Sequence, residues 1–493
     1  MLTVAVFTPL LGAVLLLLLR RASPVTQRRT ALVAAAVPLV LLLAAWLRFD
    51  GTGGFELVES ATWIPSLGVA YTVGLDGISL VLSVMSALLF VASAAYPVDL
   101  KGRGHEYFAW MLFLECVSLG VFLALDLFLF YVFFDLSLVG MYFLIAVWGH
   151  GDSRRAALKF FIYTLAGSLV MLLGILALYL ATDPLTFDIP TLIAQQPLKD
   201  SGGVATLAFF ALAFGLAVKT PLVPVHTWLP PAHVDAPAPA SAILAGVLLK
   251  LGTYGFIRIL LQMMTDTYAR FAFPLALVAV LSIVYGALVA LGQPNLKRRI
   301  AYTSVNHMGY SILGISAAAA AIGTGDARAS TLALTGATVE MVAHGLITGA
   351  LFLISGSIWQ RGGTYEIAEY GGLASRAPLL TTASLIAAFA SLGLPGLAGF
   401  VAEFQIFVGA FAVYPVLAAV GLVGILITAV LFLQLLQRLF LGELPSRWDG
   451  WRDLDRTETA VLAALLLLVV AIGVFPRWLL TPIETAARAI AGS

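Results

Sequence analysis

Charge is scarce in this sequence. Asp, Glu, Lys and Arg make up 11% of the 493 residues, against 61% hydrophobic ones, and the mean hydropathy is +1.01. That balance excludes a soluble globular domain and places the chain among polytopic membrane proteins. With 27 Lys and Arg against 26 Asp and Glu, there is no basic excess to attract nucleic acid. Cysteine is scarcer still. Cys116 stands alone, which excludes an internal disulfide and a cysteine-held iron–sulfur cluster. Redox chemistry associated with the chain therefore happens elsewhere. The short alternating segments of a β-barrel are also missing. The apolar run that begins at Leu2 has no basic leader and no small-residue cleavage site, so it reads as a retained first helix.

What is there is a succession of long apolar runs. A spanning helix needs about 20 such residues, and on that measure there are roughly fourteen segments: 2–19, 30–47, 73–96, 107–124, 127–148, 156–181, 204–227, 239–262, 271–291, 299–322, 331–358, 377–412, 415–440 and 458–480. The expected fold class is an all-α polytopic membrane protein. Basic residues cluster after odd-numbered segments: Arg20, Arg21, Arg28 and Arg29; Lys101 and Arg103; Arg154, Arg155 and Lys159; Lys297, Arg298 and Arg299; Arg361 and Arg376; Arg447, Arg452 and Arg456. The positive-inside rule then places both termini on the outer face of the membrane.

Two segments are interrupted. Pro221 and Pro224 lack the N–H groups that would bond Ala217 and Thr220, so the seventh segment is expected to break just after Lys219. Pro395, within Ser391–Phe400, breaks the twelfth, and Glu403 follows it. The broken helix is fourth in each of two five-segment sets, as expected for inverted repeats, and paired interruptions point to an ion pathway. The expected divisions are residues 1–106 (helices 1–3), 107–262 (first repeat), 268–440 (second repeat) and 441–493 (a loop and helix 14).

The ionisable residues inside these runs carry the functional argument. Each lysine at membrane depth costs about 2.5–3.5 kcal/mol to insert on translocon scales. Lys219 lies near the end of the seventh segment and Lys250 near the middle of the eighth, where snorkelling to an interface is harder. Asp135, central in the fifth, reads as a carboxylate partner for a buried lysine or as a protonated acid bonded to a backbone carbonyl. Glu403 reads as an ion-transfer group or as a carboxylate satisfying free amides at a helix start. Glu115 reads as an interhelical hydrogen-bond partner or as part of the pathway. His307 and His344 have the side chain best suited to proton exchange near neutrality, though each is also a plausible packing residue. Glu340 stands four residues before His344 on one helix face, which favours a local pair. His226 and His233 flank the Trp228–Pro231 turn and either line the mouth of a pathway or cap exposed backbone. Together the set makes sense as a proton relay in which Lys219 responds to the charge of Asp135.

The motifs are specific enough to name a family. LDLFLFYVFFDLSLVGMYFLI around Asp135, KTPLVPVHTWLPPAHVDAPAPASAILAGVLLKLGTYGFIR from Lys219, NLKRRIAYTSVNHMGY around His307, VAHGLITGALFLISG around His344 and GFVAEF around Glu403 resemble the antiporter-like membrane subunits of respiratory complex I. They are most similar to the M-type members, and the likeness runs from about Leu75 to Phe440. The resemblance implies a fourteen-helix proton-translocating module of NADH:quinone oxidoreductase with two inverted repeats. It assigns proton-relay roles to Asp135, Lys219, Lys250, His307, His344 and Glu403. It implies L-type and N-type neighbours, a lipid environment and a bacterial inner membrane. No cofactor is expected in this chain: NADH, FMN, iron–sulfur clusters and quinone belong to other subunits. Asp135 stands where the family carries glutamate, one methylene longer, and Gly140 and Pro231 replace its usual proline and aspartate. Rival readings are a subunit of a multisubunit cation/proton antiporter, against which the acidic Glu403 argues; a haem-b or quinone-reducing subunit; and a spacer that has lost pumping.

Overall fold

Helices account for most of residues 1–492, the residues that the computed structural model describes. The first is α1 (Leu2–Leu18), followed by α2 (Pro24–Trp46), which the Ser23 side chain caps by accepting from Thr26 N. Arg28, expected in a loop, lies inside α2 and donates to the carbonyls of Ala94 and Ala95 at 3.4 and 2.5 Å, at the end of α3 (Gly77–Ala95). A cation there offsets the partial negative charge of a helix C-terminus.

Between α2 and α3 the chain forms an element that the apolar-run reading missed. β1 (Glu56–Ile64) and β2 (Val69–Leu75) pair antiparallel, with Gly68 in the left-handed region at φ 66° in the turn. The third segment, expected from residue 73, therefore begins as strand and becomes helix only at Gly77. Asp76 caps α3 by accepting from Ile78 N and Ser79 N.

Next come α4 (Gly104–Leu123), α5 (Leu127–Trp148) and α6 (Ser153–Leu180), then a short α7 (Ile189–Gln195) in a loop. The seventh segment is α8 (Gly202–Lys219), and it ends at Lys219; turns follow, then α9 (Leu229–Asp235). The eighth is α10 (Ala238–Ile243) running through a π-helical turn at Leu244–Leu248 into α11 (Leu249–Gly255), with a second π stretch at Phe256–Leu261. The second half holds α12 (Thr265–Leu291), α13 (Leu296–Thr324) and α14 (Ala327–Gly362). The twelfth segment is α15 (Pro378–Ser391) and α16 (Ala398–Val413), parted at residues 392–397 around Pro395. α17 (Pro415–Phe440) and α18 (Arg456–Val474) follow.

Among the described residues, twelve helices are long and apolar enough to cross a membrane; α1 and the parted α15–α16 are shorter and supply the remainder of the fourteen expected segments. The last segment, expected to reach residue 480, stops at Val474. After it comes α19 (Arg477–Ala491), which buries Leu479, Pro482, Ile483, Ala486 and Ala487. That i, i+3, i+4 spacing gives one apolar stripe, and the stripe packs on α3 and α14.

Two glycine contacts place the helices that carry the candidate residues. A Cβ on Gly345 of α14 would lie 3.0 Å from Gly246 O in the π turn. A Cβ on Gly409 of α16 would lie 2.7 Å from Ala333 N of α14. Without side chains there, α14 sits close to both the Lys250 helix and the Glu403 helix, the small-residue packing expected within membranes.

Candidate functional site

Lys219 is buried where α8 ends. Its Nζ donates to Ser137 Oγ at 2.8 Å and lies 5.0 Å from the centre of the Phe134 ring. Ser137 in turn donates to Phe134 O at 2.6 Å. Asp135, read as a carboxylate partner for a buried lysine, makes no ion pair with Lys219 among the described residues. Asp135 is half-buried on the same helix and close enough to act on the Lys219 charge, but its Oδ1 has no hydrogen-bond partner among the described residues. The lysine's hydrogen bond goes instead to the hydroxyl two residues on, Ser137. A Cβ on Gly140 would come within 2.6 Å of Leu114 Cγ, so its bareness lets α5 close onto α4.

Lys250 is completely buried between the two π stretches. Its ammonium donates to Ala245 O at 2.5 Å and meets His344 Nδ1 at 2.6 Å. π turns are frequent at functional sites, and here one lies directly before the lysine. When Lys250 is charged, His344 Nδ1 accepts and its proton resides on Nε2; transfer along the bond reverses the roles.

His307 is held on both sides. Nδ1 faces Glu340 Oε1 at 2.9 Å, and Nε2 faces Ser391 Oγ at 3.1 Å, where α15 breaks. The local Glu340–His344 pair expected from their spacing is replaced by contacts across helices: Glu340 takes His307, and His344 takes Lys250. The two imidazole centroids are 5.3 Å apart. That separation leaves no room for a porphyrin plane between them, which removes the haem-ligand reading of this pair.

Glu403 is buried in the first turns of α16. Its carboxylate lies against the broken stretch, since a Cβ on Gly393 would meet Glu403 Oε2 at 2.2 Å. Glu340 is near enough to interact with it electrostatically. Lys250, His344, His307, Glu340, Ser391 and Glu403 therefore form one buried group. Lys219, Ser137 and Asp135 form another. No hydrogen bond joins the two among the described residues, but Thr220 packs so closely that a Cβ on Gly252 would meet its Oγ1 at 2.4 Å.

The remaining candidates fall to the side. Glu115 is fully buried and neither carboxyl oxygen has a hydrogen-bond partner among the described residues, so of its two readings the interhelical bond is not formed there. His233 stacks on Phe352, with centroids 4.5 Å apart, and both its nitrogens are unpartnered among the described residues. His226 lies against Tyr285 and Tyr302.

Sequence reading missed Ser137 and Ser391, whose hydroxyls carry no one-dimensional signal in apolar runs. It also missed the buried Asp76–Arg258 pair, with Oδ2 and Nη2 2.6 Å apart, although a charged arginine at the end of the eighth segment was visible. Lys297, counted as a loop charge, is buried and donates to Ala236 O. Arg299 is buried too and holds Leu291 O and Gln293 O.

Fold and site together define a class: a many-helix membrane protein with buried lysine, histidine and carboxylate groups arranged around two broken helices. Residues 124–428 match the family described as NADH:quinone oxidoreductase/Mrp antiporter, TM, and the chain belongs to that family. NADH-quinone oxidoreductase subunit M of Rickettsia prowazekii is 38% identical over 441 residues, covering 88% of this chain and 86% of that protein. F(420)H(2) dehydrogenase subunit M of Methanosarcina mazei is 39% identical over 447 residues, covering 89% and 88%. Among solved structures, a chain of respiratory complex I from Thermus thermophilus with bound NADH superposes with a TM-score of 0.88 at 32% identity, covering 100% of both chains.

Proposed function

We propose that this chain is the M-type antiporter-like subunit of a proton-pumping NADH:quinone oxidoreductase, and that it moves protons through the two buried groups. The observation that carries the reading is the Lys250–His344 contact of 2.6 Å inside a wholly buried helix. Next to it, His307 joins Glu340 to Ser391 at the α15 break. A proton acceptor and a proton donor at hydrogen-bond distance, in surroundings that exclude solvent, exchange a proton without either side chain moving far.

Asp135, Ser137 and Lys219 form the first half of the relay, Lys250 the centre, and His344, His307 and Glu403 the second half. The breaks after Lys219 and after Ser391 hold matching places in the two five-helix sets, which supports inverted repeats over 107–262 and 268–440. Relatives named for NADH and for F(420)H(2), at 38% and 39% identity, support the reading that the electron donor is handled outside this chain. NADH, FMN, iron–sulfur clusters and quinone then belong to other subunits, with L-type and N-type neighbours on either side in a bacterial inner membrane.

The test is proton pumping by inverted membrane vesicles whose complex carries Lys219→Ala or Lys250→Ala. Substrate-driven acidification, followed with a fluorescent ΔpH dye, is expected to fall to a small fraction of the parent's at equal complex content. An unchanged proton-to-electron ratio in both variants overturns the assignment. Acidification that depends on a sodium gradient, with no response to quinone, would instead favour a cation/proton antiporter.

A further inference from the structure

Away from the relay, α2, α3, α14 and α18 enclose a cavity of about 520 Å³ whose lining includes Leu43 and Trp46, Val84, Leu346, Leu468 and, from α19, Trp478. α3 and α14 form its floor, α2 and α18 its walls, and α19 packs across one end against both floor helices. The volume lies in the range of small-molecule sites, about 300 to 1,000 Å³. The mouth is open: the lining residues Leu43 of α2 and Leu47, at its C-cap, are 46% and 89% exposed.

The end closed by α19 has a different chemistry. The indoles of Trp46 and Trp478 meet there, centroids 5.8 Å apart, and aromatic rings of this kind settle at the headgroup level of a bilayer. Arg48 follows the last lining residues of α2 and Arg477 precedes Trp478; both are exposed and neither makes an ion pair among the described residues. An apolar slot open sideways at membrane depth, ending in two indoles and with an exposed arginine next in sequence to a lining residue at the end of α2 and at the start of α19, fits a phospholipid whose acyl chain fills the slot and whose phosphate is within the arginines' reach.

We infer that this cavity is a binding site for an anionic phospholipid. Its floor borders the helix that carries the central pair: the lining residue Met85 has its sulfur where a Cβ on Gly345 of α14 would come within 2.2 Å, and the residue before Gly345, His344, holds Lys250. The acyl chain thus completes the apolar wall beside the central pair.

The test uses the assembled complex, purified in mild detergent, depleted of lipid and then given phosphatidylglycerol with a diazirine in mid acyl chain. After illumination, peptide mapping is expected to find label concentrated on α2, α3, α14 and α18 around the cavity, several-fold above that at the exposed Leu169 and Leu173 of α6. Val84→Trp, which fills the cavity from its floor, is expected to lower the cavity labelling several-fold and leave the α6 labelling unchanged. Arg48→Gln combined with Arg477→Gln is expected to abolish the preference for phosphatidylglycerol over phosphatidylethanolamine probes. Labelling spread evenly over all exposed apolar faces overturns the inference, as does cavity labelling that appears only after a neighbouring subunit is stripped away.

Discussion

At the scale of single residues, the lysines were legible and their partners were not. A charge inside a long apolar run is visible in one dimension because its insertion cost has no cheap explanation. A serine in the same run costs little, so nothing marked Ser137 as the group that receives Lys219 at 2.8 Å. The four-residue spacing of Glu340 and His344 was real, yet neighbouring helices offered each a better partner, His307 at 2.9 Å and Lys250 at 2.6 Å. These contacts make the role of the hydroxyl testable. A hydrogen bond to a charged group is worth about 1.5–3 kcal/mol, or roughly ten- to a hundredfold in a rate it controls. Ser137→Ala is expected to slow pumping by about that factor at normal complex content, measured as the initial rate of vesicle acidification. Asp135→Glu is expected to be tolerated, because its longer reach brings the carboxylate towards Lys219, and Asp135→Asn to behave like loss of the charge. If Ser137→Ala pumps like the parent while Asp135→Asn does not, the proton bypasses the hydroxyl.

At the scale of elements, the apolar runs located the helices but passed over whatever was not a run. The β1–β2 hairpin mixes Glu, Ser and Thr with Val and Trp, and α19 is apolar on one stripe only; neither raises a hydropathy window. Both breaks were legible because proline removes a donor at a fixed place. The π turns around Lys250 were not, since no residue type encodes them. One tertiary tie holds the start of α3 to the end of the eighth segment. Asp76 caps α3 through Oδ1, and its Oδ2 pairs with Arg258, whose Nε donates to Tyr254 at 3.0 Å and Nη1 to Gln262 at 2.7 Å. Removing one partner of a buried pair strands the other at a cost of about 3–5 kcal/mol, and losing an N-cap adds about 1 kcal/mol. Asp76→Ala is therefore expected to lower the thermal midpoint of the purified complex sharply. Asp76→Asn, which keeps the cap and loses the charge, should fall between it and the parent. Asp76→Leu with Arg258→Met should recover part of the loss, and a double variant no better than Asp76→Ala would place the damage in the cap alone.

At the scale of the whole molecule, the loops sort onto two faces, and their bonds show which belong together. On one face Lys101 donates to Gly149 O, His150 N to Asp235 O, Lys297 to Ala236 O, Leu296 N to Tyr365 O, and Arg361 to Glu458. On the other, Leu125 N donates to Thr72 O, Leu127 N to Phe187 O and Ile189 N to Leu125 O. The first face is the one with the basic clusters, so the parity argument and the bonding agree. His150 gives this face a pH signature. Burial, with Lys297 and Lys101 nearby, holds its imidazole down to about 4. An unfolded histidine titrates near 6.5. Below that pH the unfolded state takes up a proton that the folded state refuses, so this contribution is whole above about pH 6.5 and is lost as pH falls to about 4. His150→Gln is expected to flatten the fall in thermal midpoint across that window, and parallel curves for the two proteins would show that His150 does not set it. The basic face is also the one that the positive-inside rule assigns to the cytoplasm. The only native cysteine, Cys116, is buried, so cysteines introduced at exposed positions report against a quiet background. A membrane-impermeant maleimide is expected to label Asp200→Cys in intact cells, and to label Arg298→Cys and Ser446→Cys only in inverted vesicles. The opposite pattern would turn the molecule over in the membrane and, with it, the direction in which the Lys219 and Glu403 halves of the proposed relay face.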